Sequence, residues 1–537
     1  MTELPPDQRQ PEMPPTRWGD PAHAAPLPDA VRDLVGLVFP LAERPAEDGV
    51  AVPPSRLPVA VVDELRGLLG SEHVRLDDTL RRQRTRGRST PDLLRQRAGD
   101  LGDAPDLVVR PGSHEEVAAV LGLAERHRVA VVPFGGGTSV TGGLVARRAG
   151  LAGVLSLDLA RMRRLLAVDP VSATATLEPG LRGPEAEALL AGHGLMLGHQ
   201  PQSFEFASIG GFAATRSSGQ SSAGRGRFDA MVVGLRVATP RGEVRLGTAP
   251  ADAAGPDLRQ LFLGSEGAFG VITEVTVRVR PLPEVRRYEG WRWPSFAAGA
   301  DAMRLLAQAD LLPTVLRLSD EAETAVNLAR PDAIGGGQDT AEGVVEGGCL
   351  MVVGHEGTAA AVDRQEAAVA EVLRGAGGTP LGPGPGEAWV QGRYAAPYLR
   401  DSLLDVGVLV ETLETATFWS GRERLRAAVT EALVDALGEG TMVLCHVSHV
   451  YATGCSLYFT VVAAGGDDPL ERWRRAKAAA NDAIVACGAS ITHHHAVGTD
   501  HRDWLPAGIG PLGVDVLRAV KATLDPAGIL NPGVLVP

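Results

Sequence analysis

Residues 129–143 read VAVVPFGGGTSVTGG, an apolar run that passes directly into a glycine-rich loop. The run VAVVPF is typical of a buried strand. Consecutive glycines after such a strand let backbone N–H groups approach an anion closely, because no side chain stands in the way. The loop is not a P-loop, since no Gly-Lys-Ser/Thr follows, and its GGGxxxxGG spacing is not the dinucleotide fingerprint. It predicts an anion-binding loop, with a tight turn as the alternative.

The chain around this loop predicts alternating strands and helices. The pattern is helical at 57–70 and 74–98, whereas residues 1–55 predict only short ordered pieces. The run RPLPEVRRYEG at 280–290 indicates a domain boundary. Beyond it, Gly/Pro-rich links are expected at 329–343 and 382–388, and the tail predicts one helix and a short terminal strand.

The composition is that of a soluble globular protein. The chain has 537 residues, of which 44% are hydrophobic and 22% charged, and no apolar run approaches the roughly 20 residues that span a bilayer. The net charge of −13 argues against nucleic acid as a partner. The N-terminus lacks a signal-peptide core and the four cysteines lack CxxC spacing, so we expect a cytoplasmic protein with reduced thiols.

Two later segments share the small-residue character of the glycine loop. One lies in the Gly/Ser-rich stretch 199–229, which is too long to be a mere connector, and the other precedes a strand at 271–280. Taken in this order, the three segments resemble the FAD domain of the vanillyl-alcohol oxidase superfamily. The resemblance implies the following FAD contacts: Pro133, Phe134, Gly135, Gly136, Gly137, Thr138, Ser139, Gln202, Ser203, Ser208, Gly210, Gly211, Thr215, Arg216, Ser217, Ser218, Glu266, Gly267, Gly270, Val271 and Ile272.

The resemblance also implies the fold and its division. We expect an α+β protein with a two-subdomain FAD-binding domain of the vanillyl-alcohol oxidase (PCMH) type, an α+β cap domain and helical additions. The expected units are a Pro-rich and helical region at 1–100, the FAD-binding domain at 101–283, the cap or substrate domain at 284–500, and a C-terminal segment at 501–537 that returns to the FAD site. Because the glycine loop contains no histidine, non-covalent FAD is expected, and a link through a cap-domain histidine stays open.

The second half narrows the family. Tyr-Leu-Arg-Asp at 398–401, the run HVSHVYATGCSLYF at 446–459, and three consecutive histidines at 493–495 resemble alkyldihydroxyacetonephosphate synthases in this order. The resemblance implies that Arg400 binds a substrate phosphate and that Tyr458 is catalytic. The alternatives are a surface salt bridge of Arg400 with Asp401 or Asp405, and a core aromatic role for Tyr458. Arg317 is a further candidate for a site cation.

The histidine triplet comprises His493, His494 and His495, which the resemblance makes catalytic together with Tyr458. If the apolar run before them continues as a strand, His493 and His495 point to one face and His494 to the other. Imidazoles titrate near neutral pH, so proton transfer or oxyanion binding is expected here. A solvated polar loop is the alternative.

The resemblance implies an exchange reaction without net redox, in which the flavin supplies the nitrogen nucleophile. The acyl chain of 1-acyl-dihydroxyacetone phosphate is replaced by a long-chain alcohol, as in ether lipid synthesis. The scarcity of lysine (we find only Lys477 and Lys521) agrees with a nucleophile supplied by a cofactor. The family suggests a homodimer, and a peripheral membrane contact through the cap domain stays open.

Two alternatives were weighed against the synthase. An FAD-linked dehydrogenase of a 2-hydroxy acid or alcohol usually carries Glu-His-Gly where this chain has His494-His495-Ala496, and a Gly-Asp-Gly-Asn metal segment where this chain has 446–458. A non-catalytic flavin- or lipid-binding protein would have lost some of the site residues. The family's His-His-His-Gly-Val-Gly-Lys becomes His-His-His-Ala-Val-Gly-Thr here, so the substrate is less certain than the fold. The imidazoles of His446, His449 and the pair His493/His495 could bind a metal, but no carboxylate spacing completes such a site, so no metal is expected.

Overall fold

The computed structural model describes residues 2–5, 8–47, 49–328 and 347–537. The link expected at 329–343 therefore lies outside the described residues. Three sheets organise the rest, and the helices pack around them.

The first sheet carries the glycine loop. Its four strands run in the order β1-β2-β4-β3, with parallel pairs β2·β4 and β3·β4. Apolar side chains fill both faces, which is typical of strands covered by helices. The strands are β1 (Val74–Arg75), β2 (Leu107–Val109), β3 (Val129–Phe134) and β4 (Gly153–Asp158). The helices of this region are α1 (Asp29–Val38), α2 (Val59–Leu69), α3 (Asp78–Gln83), α4 (Thr90–Arg97) and α5 (His114–His127).

The second sheet is antiparallel, with five strands in the order β5-β6-β10-β8-β9. Two strands from the same part of the chain, β7 and β11, form a separate antiparallel pair. The strands are β5 (Leu165–Asp169), β6 (Thr174–Leu177), β7 (Leu195–Met196), β8 (Val232–Thr239), β9 (Gly242–Leu246), β10 (Val271–Arg278) and β11 (Arg280–Pro281). The helices are α6 (Gly183–Ala191), α7 (Ile209–Thr215), α8 (Ser222–Arg225), α9 (Phe228–Met231) and α10 (Arg259–Phe262).

The third sheet, in the cap region, has seven antiparallel strands in the order β15-β12-β14-β13-β17-β18-β16. The strands are β12 (Val285–Trp293), β13 (Val315–Ser319), β14 (Cys349–Gly357), β15 (Thr379–Gly382), β16 (Val408–Phe418), β17 (Met442–Val447) and β18 (Gly454–Ala464). The helices are α11 (Phe296–Gln308), α12 (Glu321–Leu328), α13 (Ala359–Gly375), α14 (Gly384–Gly392), α15 (Ala396–Asp405), α16 (Arg422–Leu437) and α17 (Pro469–Ala486), and α18 (Leu505–Leu524) follows.

Several local expectations need correction. The helical pattern at 74–98 is divided into β1, α3 and α4, because Asp77 and Ser89 each cap a new helix with their side chains. The stretch 199–229 holds the short helices α7, α8 and α9, and the link at 382–388 runs into α14. The expected terminal strand is only a single bridge of Leu530 to Val131.

The first hundred residues are built into the fold. Thr2 bridges to Leu165, β1 joins the first sheet, and Trp18 packs edge-on against Phe206 at 5.8 Å between ring centroids. At the other end of the chain, the Asn531 side-chain amide donates to the carbonyls of Gly143 (2.9 Å) and Glu266 (2.7 Å). The predicted division at 100/101, 283/284 and 500/501 stays a prediction.

Across the described ranges, which omit residue 1, 6–7, 48 and 329–346, no helix is both long and apolar enough to cross a bilayer.

Candidate active site

A cavity of about 350 Å³ brings the predicted site residues together. One wall consists of the glycine loop and the two small-residue segments, and we call it the glycine wall. The opposite wall consists of side chains from β16, β17, β18 and the histidine triplet, and we call it the side-chain wall. Trp18 and Arg88 from the N-terminal region also line the cavity.

The glycine wall is shaped by close backbone approaches. A Cβ added at Gly136 would lie 1.9 Å from the carbonyl oxygen of Phe206, so no other residue fits without a backbone shift. Gly267 has φ +76°, and a Cβ there would lie 2.7 Å from Pro133 Cγ. These glycines therefore let the segments that line the cavity pack closely against one another.

Almost all the predicted cofactor contacts line this cavity. They are Pro133, Phe134, Gly135, Gly136, Gly137, Thr138, Ser139, Gln202, Ser203, Ser208, Gly210, Gly211, Thr215, Ser217, Ser218, Glu266, Gly267, Gly270, Val271 and Ile272. Arg216 is the exception, because its guanidinium donates to the carbonyls of Leu263 (2.8 Å) and Gln260 (3.0 Å). Its contact with the cofactor remains a prediction without support from the cavity lining.

Strand pairing places Tyr458 at the centre of the side-chain wall. In β18 it lies opposite Glu414 of β16 on one side and His446 of β17 on the other. The His446 ring stacks on it, with 4.7 Å between centroids. Burial raises the pKa of Tyr458 to about 12, so the hydroxyl keeps its proton at neutral pH.

The histidine triplet is not a strand, so the alternation expected for its side chains is wrong. The Glu414 carboxylate accepts hydrogen bonds from the backbone N–H groups of His493 (2.6 Å), His494 (3.2 Å) and His495 (2.9 Å). A single carboxylate thus accepts from three consecutive backbone N–H groups that a neighbouring strand would otherwise pair, and the segment forms a loop around it. Although burial alone would raise it, the three imidazoles and the Thr492 hydroxyl hold the pKa of Glu414 well below its ordinary value.

The imidazoles differ in position and share one protonation state. His494 and His495 line the cavity, whereas the ring of His493 stacks on His449 and its Nε2 lies 2.6 Å from the Tyr451 hydroxyl. Burial lowers the pKa of His495 to about 3 and also lowers those of His493 and His494. Burial therefore favours the neutral form of these rings, against the expectation that they titrate near neutral pH.

A second buried carboxylate holds the next part of the loop. Glu266, with φ +51°, accepts from the N–H groups of Val497 (3.1 Å) and Gly498 (2.9 Å). Burial raises the pKa of Glu266 to about 7. This predicted cofactor residue therefore also joins the glycine wall to the segment that follows the histidines.

Arg400 is buried, not on the surface. Its Nε donates to Asp401 Oδ1 (3.0 Å) and its Nη1 to the carbonyl of Arg88 (2.7 Å). Its Nη2 lies 3.0 Å from the same carboxylate oxygen but makes no hydrogen bond among the described residues. The salt bridge with Asp401 is real, and Asp405 pairs with Arg17 and Arg97 instead. Arg400 lines the cavity and has donor capacity left for an anion.

Two further arginines line the cavity. Arg317 Nη2 lies 2.7 Å from Glu323 Oε1 and 2.9 Å from His446 Nδ1, so a local partner already engages this guanidinium. Although burial opposes it, His446 and Arg317 lower the pKa of Glu323 to about 2. Arg88 is fully buried, and its Nε has no hydrogen-bond partner in the part of the chain that the structure describes. Burial lowers the pKa of Arg88 to about 10, which leaves it charged at neutral pH.

Sequence reasoning missed several cavity residues. They are Trp18, Arg88, Glu323, Glu411, Thr412 and Ser448, whereas the sequence suggested His446 and His449 only as metal ligands. One signal was available: Glu411 and Glu414 lie within LVETLETATF, a strand whose other residues are apolar or threonine, where buried carboxylates need partners. Arg88 and Trp18 carried no such signal, because only the packing of the N-terminal region onto the cavity selects them.

Comparison with known proteins identifies families that this chain matches. The chain matches the families described as "FAD binding domain" over residues 105–247 and "FAD linked oxidases, C-terminal domain" over 282–535. Its cofactor is therefore FAD, and the glycine wall fits that group. A solved structure of p-cresol methylhydroxylase, with a TM-score of 0.68 and 19% identity over 90% of this chain and 98% of that one, shows the fold alone. The prediction of a PCMH-type α+β fold is confirmed.

Two matches are more specific. The alkyldihydroxyacetonephosphate synthase of Trypanosoma brucei brucei is 35% identical over 517 residues, which cover 90% of this chain and 82% of that protein. A solved structure of alkyldihydroxyacetonephosphate synthase has a TM-score of 0.82 and 30% identity, and the match covers 98% of each chain. The chain belongs to the alkyldihydroxyacetonephosphate synthase family.

Proposed function

We propose that this protein replaces the acyl chain of 1-acyl-dihydroxyacetone phosphate with a long-chain alcohol, in ether lipid synthesis without net redox. The observation that carries the proposal is the cavity itself. It places a buried arginine with free donor capacity, a protonated tyrosine and two neutral imidazoles opposite a wall that fits FAD.

The glycine wall would hold FAD by backbone contacts, without a covalent link. When bound, FAD would supply at its N5 the amine-like nucleophile that a lysine side chain would otherwise provide. The described cavity lining contains no lysine, since Lys477 lies in α17 and the Lys521 ammonium donates to Asp525 and to backbone carbonyls.

Arg400 would bind the substrate phosphate. A guanidinium offers paired donors that suit phosphate oxygens, and Asp401 with the Arg88 carbonyl fixes its orientation before substrate arrives. Binding the remote phosphate in this way positions the reacting carbon, so no hydrogen bonds to the acyl chain are needed.

Proton handling would fall to Tyr458, His494 and His495. The exchange takes a proton from the incoming alcohol and delivers one to the departing carboxylate. A neutral imidazole nitrogen can accept the first, and the Tyr458 hydroxyl can donate a hydrogen bond to the departing oxygen. The rings are close enough to share protons through the bound reactants, since the centroid of Tyr458 lies 5.5 Å from that of His495.

The test is an anaerobic assay of the purified FAD-loaded protein without an electron acceptor. Palmitoyl-dihydroxyacetone phosphate and hexadecanol are added, and mass spectrometry follows the ether phosphate and free palmitate. Formation of both supports the proposal. Absence of the ether, with flavin reduction by 2-hydroxy acids instead, would replace the synthase by the dehydrogenase alternative.

Variants assign the roles. Arg400→Ala and Tyr458→Phe are each expected to lower kcat/KM by about a hundredfold or more. Arg400→Ala should also raise KM for the phosphate substrate, whereas Tyr458→Phe should act on kcat. The controls are Arg475→Ala on the exposed face of α17 and Tyr394→Phe, whose buried hydroxyl has no hydrogen-bond partner among the described residues. Equal losses in the controls would contradict the assignment.

The proposal includes a cytoplasmic homodimer with a peripheral membrane contact. The exposed apolar face of α1 supports the membrane contact, because Leu34, Leu37 and Val38 are 49%, 84% and 51% exposed. Light scattering on the eluted protein tests the dimer. Flotation with phospholipid vesicles tests the membrane contact, and Leu37→Glu should abolish it.

A further inference from the structure

We infer that His449, His493 and His494 form a binding site for a divalent transition-metal ion of the Zn²⁺ class, whose occupancy inhibits the enzyme. One nitrogen from each ring lies within 4.8 Å of the other two, and His449 and His494 line the cavity. Binding stands on this geometry alone, and the inhibition rests on the proposed function.

The three rings converge from two different parts of the chain. His449 follows β17, and the other two belong to the loop that Glu414 holds. His493 Nδ1 and His494 Nδ1 are 2.9 Å apart. Zinc–nitrogen bonds of about 2.0–2.1 Å at tetrahedral angles place ligand nitrogens about 3.4 Å apart. The pair already has nearly that separation, and a small closure of His449 would complete three ligands.

The outer nitrogens are already oriented. His449 Nδ1 lies 3.0 Å from Ser218 Oγ and 2.6 Å from Ser222 Oγ, and His493 Nε2 lies 2.6 Å from the Tyr451 hydroxyl. Ligating histidines are characteristically held in this way by a partner on the ring nitrogen that does not bind the metal. With these tautomers, His449 would use Nε2 and His493 would use Nδ1.

Charge and access also suit a dication. The Glu414 carboxylate lies 3.6 Å from His494 Nδ1, so it lowers the cost of bringing positive charge into the site. Arg227, which donates to the His493 carbonyl at 3.1 Å, opposes it. Three imidazoles leave a fourth coordination position open, and imidazole suits Zn²⁺, Ni²⁺ and Cu²⁺. Because His449 and His494 line the cavity, an exogenous ligand such as a substrate oxygen could occupy that position.

The sequence predicted no metal here because it offered no complete spacing. His446, His449 and the pair His493/His495 were the weighed candidates. The loop bend replaces His495 by His494, and the pairing of His446 with Glu323 and Arg317 removes His446 from the set. Only the tertiary arrangement therefore defines the three ligands.

The test uses Zn²⁺ itself with the FAD-loaded full chain after chelator dialysis. Titration calorimetry and metal analysis after gel filtration should show about one Zn²⁺ per chain, and X-ray absorption should show nitrogen ligands at about 2.0–2.1 Å. His449→Ala and His494→Ala should each weaken binding more than about tenfold, and Tyr451→Phe by about tenfold. His127→Ala, on the exposed end of α5, is the matched control.

Bound flavin in every variant shows that the fold is intact. Zn²⁺ binding that His449→Ala and His494→Ala leave unchanged, or no binding to the wild-type chain, would overturn the inference. Inhibition is read in the ether-forming assay, where Zn²⁺ should lower the rate of the wild type and not add to the loss in His449→Ala. Failure of the synthase proposal is distinguishable, because it removes the ether product from chelated protein and leaves Zn²⁺ binding intact.

Discussion

The two walls of the cavity are built by opposite means. The glycine wall presents backbone and small side chains, and its shape depends on approaches that exclude a Cβ. The side-chain wall presents buried ionisable groups, and its chemistry depends on which of them keep their protons. The comparison teaches that one wall recognises its ligand by shape while the other acts through fixed protonation states.

Two glutamates connect the walls through a single loop. Glu414 holds residues 493–495 and is ionised, whereas Glu266 holds Val497 and Gly498 and has a pKa raised to about 7. The difference follows from their surroundings. Glu414 has the three imidazoles around it and accepts from three N–H groups and the Thr492 hydroxyl, whereas Glu266 has two N–H partners and the charge of Asp500 nearby.

The largest effect is expected from closing the glycine wall. Gly136→Ala places a Cβ 1.9 Å from the Phe206 carbonyl oxygen, a backbone atom that can move only if the main chain shifts. We expect FAD content, measured by the ratio of flavin to protein absorbance, to fall more than about tenfold. Gly122→Ala in α5 is the matched control, since its Cβ meets nothing within 4 Å. That variant should keep its FAD and gain about 0.5–1 kcal/mol of stability.

An intermediate effect is expected on the side-chain wall. Glu414→Gln removes the charge that holds three N–H groups and should cost about 3 kcal/mol, seen as a lower urea midpoint, together with most of the activity. Glu411→Gln, three residues earlier in β16, is the matched control. Burial raises the pKa of Glu411, so losing its charge should cost only about 1 kcal/mol. Equal midpoints for the two variants would show that the loop does not depend on the Glu414 charge.

The smallest effect concerns His199, whose Nε2 lies 3.1 Å from Ser217 Oγ of the glycine wall, and acid pH. His199 is buried, its Nδ1 has no hydrogen-bond partner among the described residues, and burial lowers its pKa to about 3 from 6.5. The unfolded chain therefore binds a proton that the folded chain does not between these values, and stability falls as pH falls below about 6.5. This histidine should account for about 2 kcal/mol of the loss between pH 7 and pH 5.

Unfolding midpoints across this pH range provide the measurement. His199→Asn should flatten the fall in stability at acid pH. An unchanged slope in His199→Asn would mean that the ring already carries a proton in the folded protein.

Local sequence patterns were sufficient to predict the residues of the glycine wall. Gly135, Gly136 and Gly137 follow a buried strand. A backbone that must approach a ligand closely requires glycine, and glycines are visible in the sequence. The roles of Arg400 and Tyr458 came from the family resemblance, and the structure places both side chains in the cavity. The protonation states were wrong in the sequence analysis, because burial is a property of the packed chain.

The sequence by itself determined the family, the α+β fold and FAD as cofactor, because the glycine positions and the order of the motifs can be recognised from short stretches of sequence. Only the tertiary structure decided how the histidines are presented. Glu414 reaches them across 79 residues or more of sequence, and Arg88 reaches Arg400 across 312. Contacts of that range depend on the closing of the seven-stranded sheet over the glycine wall, and no local pattern specifies which carboxylate will meet which N–H group.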